Sequence, residues 1–156
     1  MSVHIENVDP HSEVALSLLH EAAIDARALY PELHAFNPPW PANAPLQEGG
    51  AYVVAYLDGL PLACGALRPI DSETAEVKRM YVQRDHRRRG LGRAVLAYLQ
   101  REARRLGYKR LLLQTGYKQL ASIALYESFG FHRIPPFGEY KNDPTSVCYE
   151  LYLSQA

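Results

Sequence analysis

The chain is expected to fold as an α/β domain whose mixed, mostly antiparallel central sheet is flanked by helices. Three β-rich runs, at residues 51–57, 62–67 and 73–82, follow one another with turn signals between them, the pattern of an antiparallel meander. Residues 73–134 then alternate strand, helix, strand, helix and strand, which brings in parallel pairing and lays helices on the sheet. At 156 residues there is enough chain for one core and too little for two ordinary enzyme domains, so residues 1–156 are read as one domain.

The first strand is read at Val3 to Val8, followed by Asp9-Pro10 as helix N-cap and first-turn proline. Val14, Leu18, Leu19, Ala22, Ala23, Ala26 and Leu29 recur every three or four residues, which predicts a helix ending at Tyr30-Pro31. Residues 31–50 carry Pro38, Pro39, Pro41, Pro45, Gly49 and Gly50, and are read as a surface loop or short irregular helix. Leu33, Phe36 and Trp40 are too apolar for a solvated linker.

Asp58-Gly59 predicts a hairpin between the runs 51–57 and 62–67. Leu91, Val95, Leu96, Leu99, Ala103 and Leu106 form a helical stripe that Gly107 closes. Residues 110–114 read as a strand, 119–129 as a helix stopped by Gly130, and 131–134 and 147–153 as the last strands.

Formal net charge is zero, yet 12 of the 17 Lys and Arg lie within residues 78–110, opposed only by Asp85 and Glu102. A polyanionic ligand is favoured there. Cys64 and Cys148 each sit in an apolar run, and the six histidines are scattered, so no metal site is expected. No apolar run approaches the roughly 18 residues needed to span a bilayer. A cytoplasmic protein without membrane contact is expected.

The most informative segment is Arg87, Arg88, Arg89, Gly90, Leu91 and Gly92, between a strand-like run and a helical stripe. Backbone N–H groups at a helix N-terminus, beside guanidinium groups and two residues lacking Cβ, describe a phosphate site. The segment lacks the Lys-Ser/Thr of a nucleoside-triphosphate loop and the glycine spacing of a dinucleotide fingerprint. Aromatic residues suited to base stacking are not interleaved with the arginines, so no nucleic-acid partner is expected.

Arg87-x-x-Gly90-x-Gly92 resembles the Arg/Gln-x-x-Gly-x-Gly/Ala signature of the GCN5-related N-acetyltransferase (GNAT) family. The likeness runs from about Ala51 to the C-terminus. It includes Glu76 to Val82 before the loop, and Ala124 to Phe131, which looks like the family's "ALYxxxGF" segment. The resemblance implies the acyl-CoA N-acyltransferase fold, with fourth and fifth strands splayed to admit the pantetheine arm. It implies acetyl-CoA as cosubstrate and no metal.

By the same resemblance the pyrophosphate lies on Arg87 to Arg93, through amides from Arg88 onward, and the pantetheine pairs with Met80, Tyr81 and Val82. Gln119 stands where many members place a coenzyme A-binding asparagine, and Arg84 where proline is frequent. Tyr126 corresponds to the tyrosine that protonates the departing thiolate. Glu76 matches the general base of histone-type members, and period two puts it on one strand face with Lys78, Met80 and Val82. A structural ion pair with Lys78 or a nearby arginine is the other reading of Glu76.

The chemistry calls for a base, because an ordinary ammonium with a pKa near ~10.4 faces a penalty of about 4.6 kcal/mol at pH 7. Tyr30, His34, Phe36, Phe137, Glu139 and Tyr140 are candidates for holding the acceptor. The expected function is acetyl transfer to a primary amine of a small molecule or protein, by direct attack in a ternary complex. A non-catalytic coenzyme A-sensing module is the alternative, and a homodimer is compatible with either.

Overall fold

The computed structural model describes residues 2–154. Strand β1 (Val3–Asn7) precedes helix α1 (Glu13–Leu29), and then come β2 (Ala51–Leu57), β3 (Leu60–Pro69) and β4 (Thr74–Val82). Helix α2 (Leu91–Arg105), β5 (Arg110–Gly116), α3 (Leu120–Ser128), β6 (His132–Ile134) and β7 (Ser146–Tyr152) complete the chain. One seven-stranded sheet has the order β1-β2-β3-β4-β5-β7-β6, with only β4 and β5 parallel. That pair is joined through α2, the long crossover that parallel strands require.

Local chemistry explains the meander. Asp58 and Gly59 both take positive φ, 50° and 85°, as a tight two-residue hairpin demands, and Leu57 pairs with Leu60. Along β2, Val53, Ala55 and Leu57 pack under α2, while Tyr52 and Val54 pack under α1, so the strand is buried on both faces. Helix α3 lies on the α2 side, contributing Tyr126 to that core.

Helix α1 starts later than Asp9-Pro10 suggests. The Asp9 carboxylate accepts from the His11 amide at 2.8 Å, closing a local turn, and the Ser12 side chain caps the helix by accepting from Ala15. The segment after α1 holds one 3₁₀ turn, Pro31–His34, and is otherwise irregular up to β2. Asn43 ties it to the body, donating to the Pro10 carbonyl at 2.9 Å and to the Tyr52 hydroxyl at 3.2 Å.

Strands β4 and β5 pair only from Thr74 with Arg110 to Val77 with Leu113. Beyond Val77, β4 stays with β3 and β5 stays with β7, so the two splay apart. The cause lies in β4: Lys78 pairs with Ala66 and Tyr81 with Cys64, which leaves Arg79 and Met80 opposite the single residue Gly65. This is a β-bulge, with Arg79 at φ 61°, and bulges bend and twist a strand. Gly65 fits because a Cβ there would meet Val95, Met80 and Leu99 atoms at 2.7–2.9 Å.

The bulge also corrects the period-two expectation. Its extra residue shifts the phase of the strand, so Met80 and Val82 pack on the α2 side rather than sharing the face of Glu76 and Lys78. Tyr81 turns towards α1 instead.

Tyr30, at the end of α1, reaches the end of β5, where its hydroxyl accepts from the Lys118 amide at 2.9 Å. A Cβ on Gly116 would lie 2.0 Å from that hydroxyl oxygen and 2.6 Å from Cζ. Gly116→Ala is therefore expected to destabilise the fold by about 1–3 kcal/mol, read as a lower denaturant midpoint at unchanged m.

Candidate active site

The phosphate loop forms as β4 gives way to α2. Gly90 occupies the N-cap at φ 78° and ψ 9°, Arg88 has φ 67°, and no acidic residue lies in the first turn. None of the N–H groups of Gly90, Leu91, Gly92 and Arg93 donates to a protein acceptor among the described residues. Such a row of free amides at the positive end of a helix dipole is an anion site, and a diphosphate fits its chemistry. Gly92 lets this turn sit close to α3 and β4, since a Cβ there would lie 3.3 Å from Leu125 and 3.6 Å from Val82.

The arginines divide by role. Arg87 donates from Nε to the Val82 carbonyl at 3.0 Å and reaches Asp25 of α1 at 3.4 Å. Arg84 also reaches Asp25 at 3.4 Å, and the Tyr81 hydroxyl donates to it at 3.1 Å. Burial first, then this neighbouring carboxylate, raise the Tyr81 pKa. Arg93 donates to the Ser128 hydroxyl at 3.0 and 3.1 Å, fastening α2 to α3, while Arg88 and Arg89 are exposed. Asp25 has no signature in sequence beyond its place on a helix. Gln119 is the half-buried residue before α3, and its side chain makes no capping bond.

At the mouth of the splay lies a cavity of about 390 Å³ walled by Glu76, Lys78, Arg79, Gln114, Glu139 and Tyr140. Glu76 is 1% exposed, and both its carboxylate oxygens are engaged. Oε1 accepts from Arg68 on β3 at 2.6 Å, and Oε2 accepts from the Tyr140 hydroxyl at 2.6 Å. Burial, then the Glu76 and Glu139 carboxylates, raise the Tyr140 pKa, so its phenol stays protonated and remains a donor. Lys78 lies 3.6 Å from Glu139. Phe137 stacks edge-on against Tyr140 at 5.2 Å.

The other acceptor-site candidates are placed differently. Tyr30 is buried at the end of β5, His34 donates to the Tyr30 carbonyl at 2.8 Å, and Phe36 is 98% exposed. No sequence motif singles out Arg68, Arg79 or Gln114. The four-residue turn at 70–73 was the available signal for Arg68, because it sets the register that pairs Arg68 with Glu76.

Tyr126 is 4% exposed and packs edge-on against Phe131 at 6.0 Å. Burial alone raises its pKa, and its hydroxyl makes no side-chain hydrogen bond among the described residues. A protonated phenol with an uncommitted proton has the form of a general acid.

Residues 16–131 match the model of the acetyltransferase (GNAT) family. The chain belongs to that family. Among curated GNAT relatives, it is 43% identical over 88 residues to the uncharacterized N-acetyltransferase YsnE of Bacillus subtilis, covering 54% of this chain and 57% of that protein. It is 44% identical over 104 residues to an IAA acetyltransferase of Azospirillum brasilense, covering 65% and 67%.

A Klebsiella pneumoniae structure assigned to the acyl-CoA N-acyltransferases superposes with TM-score 0.79 at 29% identity, covering 97% of this chain and 98% of that one. A GNAT acetyltransferase of Elizabethkingia anophelis with acetyl-CoA bound shares the fold at TM-score 0.70 and 20% identity, covering 97% and 98%. The fold of this GNAT chain is thus shared with both structures. Among the described residues no helix is long and apolar enough to cross a membrane.

Proposed function

We propose that this chain transfers the acetyl group of acetyl-CoA to a primary amine by direct attack within a ternary complex. The observation that carries the reading is the gap between β4 and β5. The β4 stretch left unpaired with β5, residues 78–82, runs from the cavity at Glu76 towards the free amides of Gly90 to Arg93. Membership of the family and the acetyl-CoA held by a structure of the same fold support the choice of cosubstrate.

In this reading Gly90 to Arg93 hold the pyrophosphate, and the exposed Arg88 and Arg89 add charge. The acceptor ammonium gives a proton to the Tyr140 oxygen while Tyr140 passes its own proton to Glu76. The freed amine attacks the thioester carbonyl, forming the C–N bond, and amides at the end of β4 stabilise the oxyanion. As the C–S bond breaks, Tyr126 protonates the leaving thiolate. The products are the N-acetyl amine and coenzyme A.

Thiol release from acetyl-CoA across a panel of amines tests the reading directly. Tight acetyl-CoA binding without thiol release from any amine would assign a coenzyme A-sensing role instead. Gly90→Asp tests the phosphate site separately. It forces a side chain into left-handed backbone and sets a carboxylate against the pyrophosphate. Calorimetry is expected to show acetyl-CoA bound roughly 10- to 100-fold more weakly, a loss of about 1.4–2.8 kcal/mol.

A further inference from the structure

Adjacent residues of a regular strand point to opposite faces, yet Lys78 and Arg79 both border the same cavity. The bulge makes this possible by holding Arg79 at φ 61°, a conformation unfavourable for any residue with a Cβ. Two cationic residues adjacent in the chain therefore line one cavity, at the expense of backbone strain. Arg79 donates from Nε to the Asn43 side chain at 3.0 Å and from Nη2 to the Ala42 carbonyl at 3.0 Å, which fixes the guanidinium and leaves Nη1 uncommitted.

The positive charge of the pair is only partly answered by neighbouring carboxylates. The Glu76 carboxylate is already matched by Arg68 at 2.6 Å. Glu139 forms only a long ion pair with the Lys78 ammonium, at 3.6 Å, and its side chain is 67% exposed, so solvent weakens the pair. With Arg68 counted, three cations, Arg68, Lys78 and Arg79, stand against the two carboxylates Glu76 and Glu139, and this excess of one positive charge disfavours an acceptor whose only charge is an ammonium. Gln114, across the gap on β5, donates to the Ser146 hydroxyl at 3.0 Å, and its amide oxygen remains an acceptor for an amine.

We propose that the acceptor is an amino acid or a compact relative, whose carboxylate is held by Lys78 and Arg79 while its amine faces Gln114 and Tyr140. The proposal rests on the acetyl-transfer reading above. Position limits the spacing of the two groups. Val77 is the last β4 residue paired with β5, so the two cationic residues occupy the first two unpaired positions, at the opening of the gap between the strands. Few bonds then separate carboxylate from amine, and a cavity of about 390 Å³ suits a small molecule.

The test compares matched sets of amino acid, its carboxamide and its decarboxylated amine, with each kcat/KM corrected for the fraction of free amine. The acids are expected to be favoured at least about tenfold, the value of one charge-assisted contact, mainly through KM. Lys78→Met is expected to collapse the ratio of acid to amide towards one, with Tm recorded for each protein. Equal rates for acids and amides, or a ratio untouched by Lys78→Met, would overturn the carboxylate assignment and leave acetyl transfer standing. Acetyl-CoA binding without thiol release from any amine would overturn the transfer reading, and this inference with it.

Discussion

Tyr126→Phe is expected to lower kcat by about 10²- to 10⁴-fold, the usual worth of a general acid, while acetyl-CoA affinity and Tm stay close to wild type. The separation follows from the environment of the ring. The phenyl edge that packs on Phe131 survives the substitution, and the hydroxyl has no side-chain hydrogen bond to lose among the described residues. Removing a hydroxyl to which no protein group is bonded leaves no partner unsatisfied behind, so the folded state has little to lose. Single-turnover rates with saturating acetyl-CoA and a thermal melt together make the measurement. An unchanged rate would remove Tyr126 from the chemistry, and a melt lowered by several degrees would mean that the hydroxyl has a structural role.

Much of the frame is legible from residues whose physics is local. Asp58-Gly59 dictates a hairpin because both positions need positive φ, and Gly107, at φ 90° after the last turn of α2, ends that helix for the same reason. The phosphate loop is legible because free amides, glycines and arginines must be contiguous in the chain. The bulge is not legible in this way. Its left-handed residue is Arg79 rather than glycine, and the glycine that accommodates it, Gly65, lies on the neighbouring strand. Reading the face of Met80 by alternation therefore fails where a cross-strand contact overrides period two.

The cavity is hidden for a related reason. Its walls come from β4, β5 and the turn before β7, and Arg79 is steadied by Asn43 from the proline-rich segment. Only the register of the sheet brings these residues together. Glu76 is nameable from the family likeness and Tyr140 only as one of six acceptor-site candidates, while the supporting Arg68 and Asn43 require the fold.

Arg68→Met should destabilise the protein by about 3 kcal/mol, the lower end for breaking a buried ion pair, which lowers Tm by roughly 6–12 °C. The asymmetry of the pair sets this value. Glu76 is 1% exposed whereas the Arg68 side chain is half exposed, so the arginine can return to water but the carboxylate cannot. Adding Glu76→Met to Arg68→Met removes the stranded charge and should recover most of the loss, because hydrophobic replacement of both partners is often neutral. Activity then separates the two readings of Glu76. With a base role, Arg68→Met remains active per folded molecule, and Glu76→Gln and the double variant both lose about 10²-fold or more in kcat. A purely structural partnership predicts the reverse ordering: Glu76→Gln stays active, and activity follows the folded fraction across the whole cycle.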